Sequence, residues 1–137
     1  MSDELEKPAA KKKTSYVGVP AVFKLELACK HLNEAYDSFG CYLVGSALER
    51  PDWRDVDVVM IMDDEAFKRE FPAAEIHSGG FELDTKWLIH TVALSDWLRS
   101  QTGLPIDFKI QPQIWANLRH KGPRHAKGIR LTKEPSE

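Results

Sequence analysis

Residues 58–62 read Val-Val-Met-Ile-Met, apolar at every position, and follow an acid-apolar-acid step, Asp55-Val56-Asp57. Successive side chains on a strand point to opposite faces, so a run that is apolar on both parities belongs to a strand covered on both sides. A strand at about 55–62 of this kind constrains the fold more than any other feature, because it demands a layer above and below it. Asp55 and Asp57 then project to one face at the strand entrance, with Val56 and Val58 opposite. Two like charges there repel, and each is costly to desolvate unless something positive compensates it. Either that face is the wet side of a sheet, or a cation belongs beside it.

The pair alone decides nothing. With 21 acids in 137 residues, an acid-x-acid step arises about three times by chance, and Glu4/Glu6, Asp63/Glu65 and Glu82/Asp84 are of the same form. Context separates Asp55/Asp57 from these. Upstream, Cys41–Val44 reads as a short buried strand ended by Gly45-Ser46, and a loop from Ala47 to Arg54 leads into the acid pair. Downstream, Asp107 interrupts the apolar run Ile106-Asp107-Phe108-Lys109-Ile110. If those two strands are neighbours, three carboxylates meet and can hold one or two Mg²⁺, a hard cation that takes oxygen ligands and substrate phosphates. Gly45 lets backbone approach a ligand closely, and Ser46 adds a hydroxyl.

The rest of the chain supplies the layers. Pro20 opens a helix whose stripe of Leu25, Ala28, Leu32, Tyr36 and Phe39 runs to a stop at Gly40. Asp63 or Asp64 caps a short helix through Phe71, and Phe81–Asp84 reads as a brief strand. Thr85 to Gln101 is a helix with Trp87, Leu88, Val92, Leu94, Trp97 and Leu98 on a wide apolar face, closed by Gly103. Leu104–Gln111 is a third strand, and Pro112 opens a last helix with Ile114, Trp115 and Leu118 inward. The order predicts one α/β (α+β) domain over about 16–122. A charged, disordered tail (1–15) precedes it and a basic tail (123–137) follows.

Val44-Gly45-Ser46, eight residues, Asp55-Val56-Asp57-Val58, then Ile106-Asp107-Phe108 resembles the nucleotidyltransferase superfamily with the DNA polymerase beta-like fold, its small members above all. The likeness spans about residues 22–118. It implies a small mixed β-sheet flanked by helices. It also implies metal-dependent transfer of NMP from an NTP to an acceptor hydroxyl, with release of pyrophosphate. Asp55 and Asp57 would ligate the metals that carry the triphosphate, two Mg²⁺ or alternatively Mn²⁺. Asp107 would hold the metal beside the attacking hydroxyl, and Gly45 and Ser46 would hold the β- and γ-phosphates. The loop Ala47-Leu48-Glu49-Arg50-Pro51 and Arg54 depart from the small members, which carry an Arg and a Gly there and a Ser before the first Asp. Arg50 or Arg54 is the candidate phosphate contact. The chain leaves no room for an accessory domain, so the acceptor (protein, RNA or small molecule) is undefined. The alternative is a non-catalytic member that binds nucleotide, nucleic acid or a protein partner.

Other residues carry blander readings beside sharper ones. Lys109 shares a face with Asp107, as a salt-bridge partner or a phosphate contact. Glu82 or Asp84 could replace Asp107 as the third acid. His120 and His125 lack metal-site spacing and read as surface or core. Trp87, Trp97 and Trp115 suit the core, whereas Trp53, in the loop beside the acids, could stack on a nucleobase. Cys29 and Cys41 read as reduced core thiols. Net charge is −2, yet residues 119–133 hold six cations and no acid, which leaves −8 for the remainder. That basic segment is a solvated tail or a contact for nucleic acid. With no apolar run of membrane length and no apolar signal core, the expected location is the cytoplasm.

Overall fold

The computed structural model describes residues 15–128. The segment read as a disordered N-terminal tail lies, Ser15 apart, outside the described residues. The chain runs α1 (Ala21–Ala35), β1 (Gly40–Val44), β2 (Val56–Met62), α2 (Asp64–Glu70), α3 (Thr85–Thr102), β3 (Ile106–Pro112), α4 (Gln113–Arg119) and β4 (His125–Lys127). The four strands form one mixed sheet in the order β3-β2-β1-β4. β1 is antiparallel to both its neighbours, and β2 is parallel to β3. This is the expected mixed α+β domain. Among the described residues no helix is long and apolar enough to cross a membrane.

Both faces of β2 are covered, as its sequence demands. On one face Val56, Val58 and Met60 pack with Leu43, Phe108 and Ile110 against Leu25, Ala28 and Leu32 of α1 and Trp87 and Leu98 of α3. On the other, Val44, Val59 and Ile61 pack against Ala116 of α4 and Tyr42. Phe81 sits edge-on to Phe67, Trp87 and Trp115, at 5.4, 5.4 and 5.7 Å between ring centroids, and ties α2, α3 and α4 together.

β3 is an edge strand, and α3 closes its backbone. Trp87 Nε1 donates to Ile110 O at 2.8 Å, Ser95 Oγ to Phe108 O at 3.3 Å and Arg99 Nε to Ile106 O at 3.0 Å. Spacings of eight and four put all three donors on one helix stripe, and alternate strand residues present their carbonyls to the same edge. The helix therefore satisfies an edge that would otherwise be open to pairing with another strand.

Several boundaries differ from those read in the sequence. α1 ends at Ala35 because Tyr36 turns extended, and Phe39 N already donates to Ile61 O as the sheet begins, leaving Phe39 exposed. Phe81–Asp84 is not a strand: Gly80–Leu83 forms a 3₁₀ turn, and Asp84 caps α3 by accepting from Trp87 N at 3.0 Å. Asp63, rather than Asp64, caps α2. Leu88 and Val92 are exposed, as α3 buries Thr91, Ser95 and Thr102 beside Trp87 and Leu98. Ile114 and Leu118 are exposed too, since seven-residue α4 buries only Ala116. The basic tail does not start at 123. His125–Lys127 pairs with Cys41–Leu43, Lys127 is buried against Glu26 at 3.3 Å, and Gly128 N donates to Glu26 at 2.6 Å. The ordered domain thus includes residues 123–128.

Replacing Trp87 by Phe keeps the ring packing but leaves Ile110 O without its donor. We expect a loss of about 2 kcal/mol in urea unfolding at unchanged m-value, and about 1 kcal/mol for Ser95→Ala. Unfolding curves that coincide with wild type would show that α3 does not close this edge.

Candidate functional site

The parallel register sets Asp57 beside Asp107, and the antiparallel register sets Val44 on the other flank of Asp57. Neighbouring strands lie about 4.8 Å apart, so two carboxylates project from adjacent positions of one row. The next row on that face holds Tyr42, Val59 and Lys109, and the row after it Gly40, Ile61 and Gln111. A cavity of about 150 Å³ opens over these rows, lined by Gly45, Asp57, Asp107, Lys109 and Gln111 from the sheet side. Glu82, Trp115, Arg119 and His120 close it from the 3₁₀ turn and the end of α4.

Gly45 is required where it stands. Its φ is +81°, and a Cβ built there would collide with the Asp57 carboxylate. Backbone without a side chain therefore backs the acid directly, at the start of the Gly45–Leu48 turn.

Burial, chiefly, and then the charges of Asp107 and Asp55 raise the Asp57 carboxyl above its ordinary value, while Lys109 draws it down. The charges of Asp107 and Asp55 thus act on Asp57 in the sense inferred from the sequence, after burial. At the other end, His120 Nε2 lies 3.1 Å from Gln111 Oε1, the contact of an Nε2–H donor. Burial, then Arg124, Arg119 and Lys109, hold this imidazole below its ordinary value. The cavity is acidic at one end and cationic at the other.

The structure brings together Gly45, Asp57, Asp107 and Lys109 of the expected set. Asp55 lies just before β2, exposed, near enough for its charge to act on Asp57. Ser46 does not line the cavity; its carbonyl accepts from Glu49 N and Arg50 N within the turn. Arg50 pairs with exposed Asp52 at 3.4 Å, and neither it nor exposed Arg54 faces the cavity. No Lys109–Asp107 ion pair forms among the described residues, although both line the cavity. Asp84 is spent on capping α3, whereas Glu82 does line the cavity. Trp53 gives its indole N–H to Tyr16 O at 3.0 Å and packs on the core, which anchors the loop.

Sequence reasoning missed Gln111, Arg119 and His120 as site residues. Period two carries the face from Asp107 through Lys109 to Gln111, and period four carries Trp115 to Arg119, so a signal existed for two of them. His120 had none, because it depends on where α4 ends.

Among the described residues no three His, Cys, Asp or Glu side chains form a ready metal cage. The donor set nevertheless fits Mg²⁺, which is held by one or two carboxylates with water and substrate phosphates completing its shell. Asp57 and Asp107 supply two oxygen donors in one row, and Asp55, outside the cavity lining, acts on Asp57 through its charge. Comparison with family models, curated proteins and solved structures gives no match in any of the three.

Asp57→Asn should stabilise the fold by under about 1 kcal/mol at pH 7, screened as the group is by solvent. The native state holds this proton to higher pH than the unfolded chain, so wild-type stability falls as pH rises from about 4 through the raised native value. The gain from Asp57→Asn must therefore vanish below about pH 4, as read by thermal unfolding against pH. Gly45→Ala should cost about 1–3 kcal/mol, part of it recovered when Asp57→Ala removes the collision. Additive losses in that double-mutant cycle would refute the contact.

Proposed function

We propose that the protein is a metal-dependent nucleotidyltransferase, moving NMP from an NTP to an acceptor hydroxyl and releasing pyrophosphate. The observation that carries this reading is the in-register Asp57–Asp107 pair on parallel strands, backed by a glycine that no other residue can replace without a collision. Two adjacent carboxylates, one of them half-buried and raised by burial and by its neighbours' charge, favour a cation beside them, and the cavity above them is open to a ligand. Asp57, Asp107 and Asp55 would hold Mg²⁺, which when bound neutralises charge on the transferring phosphoryl group. Asp107, exposed at the strand edge, stands where it can accept the proton of an acceptor hydroxyl. Gly45 leaves room for the Asp57 carboxylate against backbone, and Lys109 adds a positive charge one row further along.

Incubating the full chain with each labelled NTP, Mg²⁺ and cell extract should label an acceptor. Asp57→Asn and Asp107→Asn should each cut the rate by about 100-fold or more. They should also abolish the Mg·NTP-dependent rise in melting temperature, while far-UV circular dichroism stays unchanged. Wild-type transfer in both variants would overturn the proposal.

A further inference from the structure

Of the cations that line the cavity, the acid chemistry just described uses only Lys109 and leaves Arg119 without a role. Lys109 lies two positions beyond Asp107 on β3, and Gln111 two beyond that, so the polar axis of the cavity runs about 13 Å along the strand. At its far end the Arg119 guanidinium lies over the Trp115 ring, 5.3 Å from the centroid. Trp115 is itself wedged against Phe81 and closely backed by Gly79, where a Cβ would strike the indole. A cation–π contact with a fixed ring holds the guanidinium at the cavity without using a carboxylate partner. Arg119 makes no ion pair with a described residue, and His120 is anchored to buried Gln111.

Among the described residues, the nearby cations Arg124 and Lys127 are occupied, and exposed Lys121 does not line the cavity. Arg124 donates to His120 O, Ala116 O and Asn117 Oδ1, and Lys127 is buried against Glu26. Arg50 and Arg54 lie outside the cavity. The positive charge facing the acid row therefore comes from Lys109 and Arg119. Against it stand Asp57, Asp107 and Glu82, so a bare polyanion meets net repulsion until the acid row is neutralised.

We infer that Lys109 and Arg119, with His120 beside them, form the polyphosphate end of the cavity: they take the β- and γ-phosphates of the substrate and hold the pyrophosphate that leaves. The inference rests on the nucleotidyltransferase reading and fixes the direction of the substrate, with the α-phosphorus over the acid row and the phosphate tail toward α4. In the transfer the acceptor oxygen bonds to the α-phosphorus. The bond from that phosphorus to the bridging oxygen breaks, and pyrophosphate departs with the electron pair. The acceptor's proton passes to Asp107 or water.

Inorganic pyrophosphate binding to the full chain, followed by titration calorimetry, tests this. With Mg²⁺, wild type should bind, and Arg119→Gln should weaken binding at least tenfold. Lys121→Gln, at an exposed cation outside the cavity, should leave it unchanged. In EDTA wild type should not bind, whereas Asp57→Asn/Asp107→Asn, its acid row neutral, should bind with the same dependence on Arg119. Equal effects of Arg119→Gln and Lys121→Gln, or no binding to the double variant in EDTA, would overturn the inference. Should no NTP label any acceptor while Arg119-dependent pyrophosphate binding persists, the transfer reading falls and the anion site stands. Should transfer proceed with Arg119→Gln as fast as wild type and with undiminished pyrophosphate binding, the anion site falls alone.

Discussion

The parallel pairing of β2 with β3 is the constraint on which the rest depends. Its register joins Val56 to Ile106 and Met62 to Pro112, and every intermediate pair follows. On the inner face that register lays Val58 beside Phe108 and Met60 beside Ile110, the centre of the core. On the outer face the same register lays Asp57 beside Asp107. A shift of one residue would turn the acids inward and the core outward, so packing energy specifies the position of the charges. A parallel pair also needs a crossover, and α3 is the helix that returns the chain. Having crossed, it seals the free edge of β3 through Trp87, Ser95 and Arg99.

Electrostatic strain at the acid row follows from this frame rather than from local sequence. Asp57 is flanked by Val44 and Asp107, backed by Gly45 and half-buried, so its charge is only partly screened by water. Hydrophobic burial over β2 is large enough to hold such a row in place, since each buried Val, Ile, Phe or Met side chain contributes about 1.5–3 kcal/mol. A cavity that gathers negative charge at one end and positive charge at the other suits a ligand that is itself polar from end to end.

Much of this was legible in the chain. Val58–Met62 announced a doubly covered strand, and Gly45 with Asp57 and Asp107 marked one site, because strand periodicity and the steric freedom of glycine are local properties. The register places Asp57 and Asp107 side by side, whereas Ser46 and Asp55 do not line the cavity. The failures have a common cause. Phe39, Leu88, Val92 and Leu118 were read as inward from helical spacing, which tells which residues share a face but not whether anything covers it. His125-Ala126-Lys127 has no strand composition, and it became β4 because β1 had a second edge to pair. Arg50 and Arg54 were near the acids in sequence yet point away, whereas Arg119 and His120 reach the cavity from sixty residues further on. Loop chemistry and long-range placement are set by tertiary packing, which single-residue propensities do not encode.

The central claim is that Asp57 and Asp107 face each other as unpaired carboxylates in one row. Carboxyl-carbon NMR titration of Asp57 reads it most directly. In-register placement predicts a titration above the ordinary carboxylate value that moves partway back in Asp107→Asn, with the remainder set by burial. A titration at the ordinary value, or one indifferent to Asp107→Asn, would contradict it.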